Sequence, residues 1–238
     1  MPTLESILEE LKSKGSEKTR IIYARHGMPI DRMFGVSVAD EKIIAKTIKG
    51  QQALALELYA SGNFDAMYLA GMVADGAKMT RAELESWAEG AKGMPMIYEH
   101  TVAWVTVEHP EAHELARQWI QSDQEHIASA GWATYMGLLA TKPDSNLDLD
   151  EIGRMLETIA NTIHTADNRV KSKMNSFVIS VGSYVKPLSE KAKAVAQQIG
   201  AVSVDVGNTA CKVPLATEYI AKVESANKVG QKRKTIRC

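Results

Sequence analysis

Apolar residues recur along this chain with the spacing of α-helices rather than that of β-strands. The first apolar stripe consists of Leu4, Ile7, Leu8 and Leu11. Residues three, four and seven positions apart lie on one helical face, so the pattern predicts an amphipathic helix. Thr3 is a suitable N-terminal capping residue and Gly15 a suitable stop, which places this helix between them.

Further segments show the same signals. Thr80 and Glu83 have the spacing of a capping box, and Pro110 suits the first turn of a helix that runs to Ile120. A long stripe consists of Ile152, Met155, Leu156, Ile159 and Ile163. Strand-like alternation is limited to 201–206, which is short and ends at Gly207, so we interpret it as a loop or an isolated extended stretch.

A helix, a polar break and a second apolar helix recur along the chain. The breaks at Asp123 and Asp167 are 44 residues apart, and the break at Asn63 is 60 residues before Asp123, which leaves room for an interposed helix near 94–107. This spacing predicts an all-α, HEAT/armadillo-like helical repeat solenoid, an α-α superhelix, with an irregular helical bundle as the alternative. We expect one domain over residues 1–238 with a basic tail at about 226–238.

Composition fits a large water-soluble domain. The chain has 238 residues, of which 45% are hydrophobic and 24% charged, and only two are cysteines. Its start has neither a basic nor an apolar leader region, and its apolar runs are shorter than the roughly 18 residues that a membrane span needs. We therefore expect a cytoplasmic protein with reduced thiols.

The charge is distributed unevenly although the formal net charge is only -1. Residues 1–120 carry 13 Lys and Arg against 17 Asp and Glu, whereas residues 186–238 carry 10 against 4. The C-terminal part is thus the predicted surface for an anionic partner. The alternative is a solvated tail that only favours solubility.

Several stretches carry a resemblance to a known family. They are His109 and Pro110, the run RQWIQSD from Arg117 to Asp123, the helix pair at 150–185, and the C-terminal stretches DVGNTACKVP (205–214) and KVGQKRKTIRC (228–238). The chain resembles the HEAT-repeat DNA alkylation repair glycosylases, in a divergent branch. The resemblance implies double-stranded DNA, alkylated or otherwise damaged, as the partner, and hydrolysis of N-glycosidic bonds of 3- or 7-alkylpurines without a cofactor.

The family's active members use an Asp, two Trp and Arg residues that hold phosphate. Here Pro95 falls near the Asp position, Phe177 at the second Trp position, and Ser129 and Ser180 at Arg positions. Glu99 is the nearest carboxylate and is the candidate catalytic residue, since a carboxylate can stabilise an oxocarbenium-like sugar. The candidate aromatic contacts to a cationic lesion are Trp87, Tyr98, Trp104 and Phe177.

Each of these candidates has a structural alternative. Glu99 could be a solvated helix residue and Trp104 a core residue, because large aromatic residues at helical spacing usually pack inside. Trp119 is in register with apolar neighbours and is predicted to be in the core. Trp87 precedes a loop at 90–93 and could be partly exposed.

Candidate DNA-binding cations lie in the C-terminal part. Arg169, Lys171 and Lys173 open a helix, where cations oppose the helix dipole, which indicates a use other than stability. Lys212 is a further candidate. The tail adds Lys228, Lys232, Arg233, Lys234 and Arg237, which form either a flexible basic arm that strengthens DNA binding or a solvated terminus.

Other chemistries lack their motifs. The chain has no Gly-x-x-x-x-Gly-Lys-Ser/Thr loop, no Gly-x-Gly-x-x-Gly and no His-Glu-x-x-His, and its histidines are scattered, so we predict no metal or cofactor site. Two hypotheses remain. The first is a DNA-binding protein of this family, in which excision of alkylated purines is possible only through a displaced site. The second is a non-catalytic helical-repeat scaffold that binds DNA structure or a protein. The sequence leaves the oligomeric state open.

Overall fold

The computed structural model describes residues 2–207 and 209–237, so Cys238, at the end of the predicted tail, lies outside the described residues. Among these residues the regular secondary structure is helical and contains no strand, which confirms the all-α prediction. The α-helices are α1 (Leu4–Lys14), α2 (Glu17–Arg25), α3 (Val38–Thr47), α4 (Gln52–Ala60), α5 (Phe64–Val73), α6 (Arg81–Gly90), α7 (Val102–Thr106), α8 (Ala112–Ile120), α9 (Glu125–Thr141), α10 (Leu149–Thr162), α11 (Asn168–Tyr184), α12 (Ser189–Ile199) and α13 (Ala216–Ser225).

Local capping sets several helix starts where the sequence predicts them. Thr3 accepts a hydrogen bond from the backbone N–H of Ser6, and α1 ends immediately before Gly15. Thr80 and Glu83 form the predicted capping box, in which the Glu83 carboxylate accepts the backbone N–H of Thr80 at 2.7 Å. Both predictions are confirmed, because the capping groups satisfy N–H donors that the first helical turn leaves unpaired.

The helix after Pro110 begins later than predicted. Helix α8 starts at Ala112, because His109 Nδ1 accepts the backbone N–H of Glu111 and the His109 carbonyl accepts that of Ala112. These bonds close a turn around Pro110 and keep it outside the helix. The helix does end at Ile120, as the pattern predicts.

The chain divides into two compact units. The first comprises residues 2–115 together with Gly207, Thr209 and Arg237, and the second comprises residues 116–206 and 210–236. Each unit has buried apolar residues of its own. The prediction of a single domain over the whole chain stays a prediction.

In the first unit, a buried carboxylate fixes the segment before α3. Asp65 on α5 is fully buried and accepts backbone N–H groups from Phe34 at 2.6 Å, Gly35 at 3.2 Å and Val36 at 2.8 Å. Burial raises the pKa of Asp65, and the backbone donors act against that rise. The sequence gives no sign of this role, because Asp65 reads as an ordinary acidic residue in a first helical turn.

The interposed helix predicted near 94–107 is present, with an irregular start. Residues Ile97–Thr101 form a π-helical turn that continues directly into α7. Gly76 allows the chain to approach this helix closely, because a Cβ atom at Gly76 would lie 1.8 Å from the carbonyl oxygen of Val105. Only glycine fits at that position without moving the backbone.

The core of the second unit is built around α9, α10 and α11. Phe177 lies edge-on to Trp132 and Tyr135, with ring centroids 5.1 and 5.6 Å away. In the predicted α10 stripe, Ile152, Leu156, Ile159 and Ile163 are fully buried and Met155 is half-buried. Trp119 is also buried, so its prediction as a core residue is confirmed.

A long irregular segment, residues 200–215, connects α12 to α13. The described part of this segment contains no strand, so the interpretation of 201–206 as a loop or extended stretch is confirmed. It carries Lys212 and therefore bears directly on the candidate DNA-binding surface.

Candidate nucleic-acid interface

Three predicted DNA-binding cations lie in the first two turns of α11. Arg169, Lys171 and Lys173 are each half-buried. The backbone N–H of Arg169 donates to the Glu125 carboxylate at 2.7 Å, so a residue from the start of α9 caps the start of α11. This negative charge offsets the unfavourable position of the cations near the positive end of the helix dipole.

The segment 200–215 is fastened to the same helix at two points. Asn168 exchanges two hydrogen bonds with the backbone of Asp205, at 2.8 and 2.7 Å. One and a half to two turns further along, Asn175 Nδ2 donates to the carbonyl of Pro214 at 2.9 Å. Lys212 is exposed and precedes Pro214 by two residues, so it lies beside the first half of α11. Lys212 therefore joins Arg169, Lys171 and Lys173 in one group, which we name the α11-start group.

The predicted basic tail is held in place rather than being a flexible arm. The backbone N–H of Gly230 donates to the carbonyl of Ser183 at 2.9 Å, and that of Arg233 donates to the carbonyl of Ala140 at 2.7 Å. Lys232 donates to the carbonyl of Leu139 at 2.9 Å. The tail thus crosses the C-terminal ends of α11 and α9 and satisfies carbonyls that a helix end leaves unpaired.

Ion pairs divide the tail cations into two sets. Lys232 also pairs with Asp144 at 2.8 Å, and Arg237, in the first unit, pairs with Glu108 while donating to the carbonyl of Gly71 at 3.0 Å. Their side chains are only 19% and 17% exposed, which leaves these two residues little charge for phosphate. The exposed cations of the tail are Lys228, Arg233 and Lys234. We name these three the tail group.

Helices α9 and α11 run side by side in the same direction. Their starts meet through Glu125 and Arg169, and their ends are bridged by the short stretch from Gly230 to Arg233. The α11-start group and the tail group therefore lie at opposite ends of one helix pair. The helix advances 12 residues from Lys171 to Ser183, which Gly230 contacts, so the two groups are separated by about 18 Å along the helix axis.

The candidate carboxylate lies in the first unit. Glu99 is half-buried in the π-helical turn, between buried Tyr98 and exposed His100. The His100 ring lies 5.9 Å from that of Trp104, and Trp104 packs edge-on against Tyr68 at 5.2 Å. The carboxylate is thus near aromatic residues, but these residues form the core beneath it.

The four candidate aromatic contacts are all buried. Trp87 stacks on Tyr59 with ring centroids 3.8 Å apart, so the expectation that Trp87 could be partly exposed is wrong. Tyr98 and Trp104 are each 4% exposed, and Phe177 is fully buried. A ring that packs on other side chains has no free face for a base. Their role as lesion contacts stays a prediction that this arrangement does not favour.

The residues at the family's phosphate-binding Arg positions are also unsuited to hold phosphate. Ser129 is fully buried, and its hydroxyl makes no hydrogen bond within the described residues. Ser180 is half-buried and carries no charge.

A hydrogen-bonded ion pair around the buried Glu151 in the second unit was not predicted. Arg117 pairs with Glu151 at 2.5 Å, and the Tyr135 hydroxyl donates to the same carboxylate at 2.7 Å. Burial, followed by the hydrogen bond to Glu151, raises the pKa of Tyr135. These residues come from α8, α9 and α10, so their meeting depends on helix packing, and they serve to hold the three helices together.

The described residues contain neither a metal-binding cluster nor a helix that could span a membrane. Within residues 2–207 and 209–237, no group of three or more His, Cys, Asp or Glu side chains is placed to hold a metal ion. No helix in the same part of the chain is long and apolar enough to cross a membrane.

The chain is similar to known proteins both in sequence and in structure. The sequence model of the family described as DNA alkylation repair enzyme matches residues 7–201. An uncharacterized protein of Listeria monocytogenes is 31% identical over 232 residues, which cover 96% of this chain and 100% of that protein. An uncharacterized protein of Listeria innocua is 29% identical over 165 residues, which cover 68% of this chain and 73% of that protein.

A solved structure is similar over the whole of both chains. It has a TM-score of 0.91 and 38% sequence identity, and it represents a family described as related to the HEAT-like repeat DNA glycosylases, with affinity for branched DNA structures. This likeness confirms the predicted HEAT-like helical repeat fold.

Proposed function

The chain belongs to the family of DNA alkylation repair enzymes, and on that premise we propose that it binds branched DNA without excising bases. The observation that carries the proposal is the pair of basic groups at the two ends of the α9–α11 pair. Each group offers cations to phosphate, and phosphate contacts supply most of the affinity of a protein for DNA. The affinity of the structurally similar family for branched DNA supports the same partner.

The separation of the two groups favours a substrate with more than one arm. At about 18 Å apart, the α11-start group and the tail group can each hold a different stretch of DNA backbone. A junction presents several backbones within such a distance, in directions that a single straight duplex does not offer. The region that contains both groups is basic as a whole, since residues 169–236 carry 12 Lys and Arg against 4 Asp and Glu.

Binding without excision is favoured because the family's catalytic pattern is incomplete. Pro95 stands near the position of the catalytic Asp, and Ser129 and Ser180 stand at the Arg positions. Phe177, at the second Trp position, is buried under other aromatic rings. A cytoplasmic location, expected from the sequence, is part of the same proposal.

Excision of 3- or 7-alkylpurines from damaged double-stranded DNA is the second candidate, and the π-helical turn at Glu99 is the observation in its favour. Such turns are rare and are frequent at functional sites. In this mechanism the Glu99 carboxylate would stabilise the positively charged sugar after departure of the alkylated base, and water would complete the hydrolysis. Neither step requires a cofactor.

One set of assays separates the candidates. Competition binding compares a four-way junction with a linear duplex of the same length and base composition, over a range of salt concentrations. In parallel, release of 3-methyladenine and 7-methylguanine from alkylated duplex is measured for the wild type, for Glu99→Gln and for a protein-free control.

We expect preference for the junction and release at the rate of the protein-free control. Release that the Glu99→Gln variant abolishes would instead establish the second candidate. Equal affinity for junction and duplex would refute branch recognition, and absence of binding to both would leave a protein-binding scaffold as the function.

A further inference from the structure

Helix α2 is unusual because none of its residues is buried. Its exposed residues include Lys18, Ile21, Ile22 and Arg25, which follow one another at spacings of three, one and three residues. Such residues form one stripe along a helix. We name these four residues the α2 stripe. It consists of two isoleucines, 43% and 42% exposed, with a cation on each side.

The opposite side of α2 fixes the orientation of this stripe. The Tyr23 hydroxyl donates to the carbonyl of Val36 at 3.0 Å, and the Tyr23 ring lies 5.2 Å from that of Phe64. Tyr23 therefore faces the core of the first unit. Ile21 and Arg25 are two positions from Tyr23, about 200° around the helix, so they face away from that core.

The surroundings of the stripe are basic and contain a third exposed isoleucine. Arg20 donates to the carbonyl of Ile30 at 2.9 Å, and Ile30 is 42% exposed. Residues 17–32 carry four Lys and Arg against two acidic residues, of which Glu17 pairs with Arg20, whereas residues 50–115 carry 3 Lys and Arg against 10 Asp and Glu. An apolar patch inside a basic region fits a partner that is anionic and also offers apolar surface.

We propose that the α2 stripe contacts the branch point of the DNA, an inference that rests on the proposed function. In a linear duplex each base is stacked between its neighbours, so its apolar faces are covered. An isoleucine on the surface of a helix therefore has little apolar DNA surface to contact. At a branch point in its open form, where the arms do not stack on one another, base pairs end and expose their faces, and apolar side chains are known to pack against unstacked base steps. Ile21 and Ile22 take this contact, while Lys18 and Arg25 hold the phosphates on either side.

The test is the double variant Ile21→Ser/Ile22→Ser, with dissociation constants measured for a four-way junction and for a linear duplex of equal length. Loss of the apolar contact is expected to weaken junction binding about tenfold and to leave duplex binding unchanged. Ile43→Ser is the matched control, because Ile43 on α3 is a 54% exposed isoleucine with lysines beside it. All three side chains are exposed, so the variants are expected to fold, which thermal unfolding checks.

The remaining outcomes overturn the inference in distinguishable ways. Wild-type preference for the junction that persists in the double variant would refute the role of the α2 stripe while leaving the proposed function intact. An equal loss in Ile43→Ser would refute the assignment to α2. If the wild type is a dimer and the double variant is a monomer, the stripe serves self-association and the inference is refuted. If the wild type shows no preference for the junction, the proposed function itself is refuted.

Discussion

Removal of charge from the α11-start group gives a direct test of DNA contact. We choose Lys171→Ala/Lys212→Ala, because these cations lie on α11 and on the segment that Asn175 fastens to it. The matched control is Lys191→Ala/Lys193→Ala in the same unit. Lys191 and Lys193 are engaged with Glu157 and with Glu190 and Glu224, at distances of 2.6 to 3.1 Å. Both double variants change the net charge by the same amount, so they differ in where the lysines lie and in the carboxylates that pair with Lys191 and Lys193.

The expected effect follows from release of counterions. Each phosphate contact on duplex DNA contributes about 0.9 to the slope of log K against log salt, so loss of two contacts lowers the slope by about 1.8. At 0.1 M salt this corresponds to a loss of affinity of about sixtyfold. The control is expected to keep the wild-type slope, because its lysines already neutralise carboxylates of the protein.

The slope is measured by fluorescence anisotropy with a labelled four-way junction at salt concentrations from 50 to 200 mM. Over this range the affinity of proteins with 6–10 phosphate contacts changes by about 10³–10⁵. A wild-type slope in Lys171→Ala/Lys212→Ala would refute contact between the α11-start group and phosphate. An equal fall in both variants would mean that only the overall charge matters, which would also refute a localised contact.

Three further predictions concern stability. Asp65→Asn puts an amide among three backbone N–H donors, and we expect the free energy of unfolding in urea to fall by about 3 kcal/mol; an unchanged value would contradict the anchoring role. Lys232→Ala is expected to cost about 1 kcal/mol and so to lower Tm by about 2–4 °C, while the exposed Lys234→Ala is neutral. Equal Tm values for the two variants would show that the tail is not fastened through Lys232. Burial, then Glu41 and Asp65, raises the pKa of Tyr23 from 10.0 to about 12. Its contribution to stability is therefore fully present below pH 10 and is lost as the pH rises through about 12. Over this interval the free energy of unfolding in urea should fall less for Tyr23→Phe than for the wild type. An equal fall in both proteins would contradict the raised pKa.

Much of the fold follows from local sequence signals. The cap at Thr3, the capping box at Thr80, the α10 stripe and the interposed helix at 97–106 are all found where periodicity and capping chemistry predict them. These features depend on residues within one or two helical turns of one another. Their interactions are therefore visible in sequence order.

The site was less predictable because its properties depend on distant residues. Lys232 and Arg237 read as a free basic arm, yet Asp144 and Glu108 pair with them from 88 and 129 positions away in the chain. Trp87 reads as partly exposed beside a loop, yet Tyr59 covers its ring. The α2 stripe could not be predicted for the opposite reason. Isoleucines at helical spacing normally indicate a buried face, whereas Ile21 and Ile22 face solvent.

The sequence by itself determined the helical class, the repeat spacing, the concentration of positive charge towards the C-terminus and the family. These properties are sums over the chain or periodicities among nearby residues, so they can be predicted without knowing which residues are in contact. Tertiary structure alone decided which cations are neutralised, that the α11-start group and the tail group lie at opposite ends of one helix pair, and that the candidate aromatic residues are buried. Those properties depend on which helices pack together, because burial and ion pairing are set by neighbours in space.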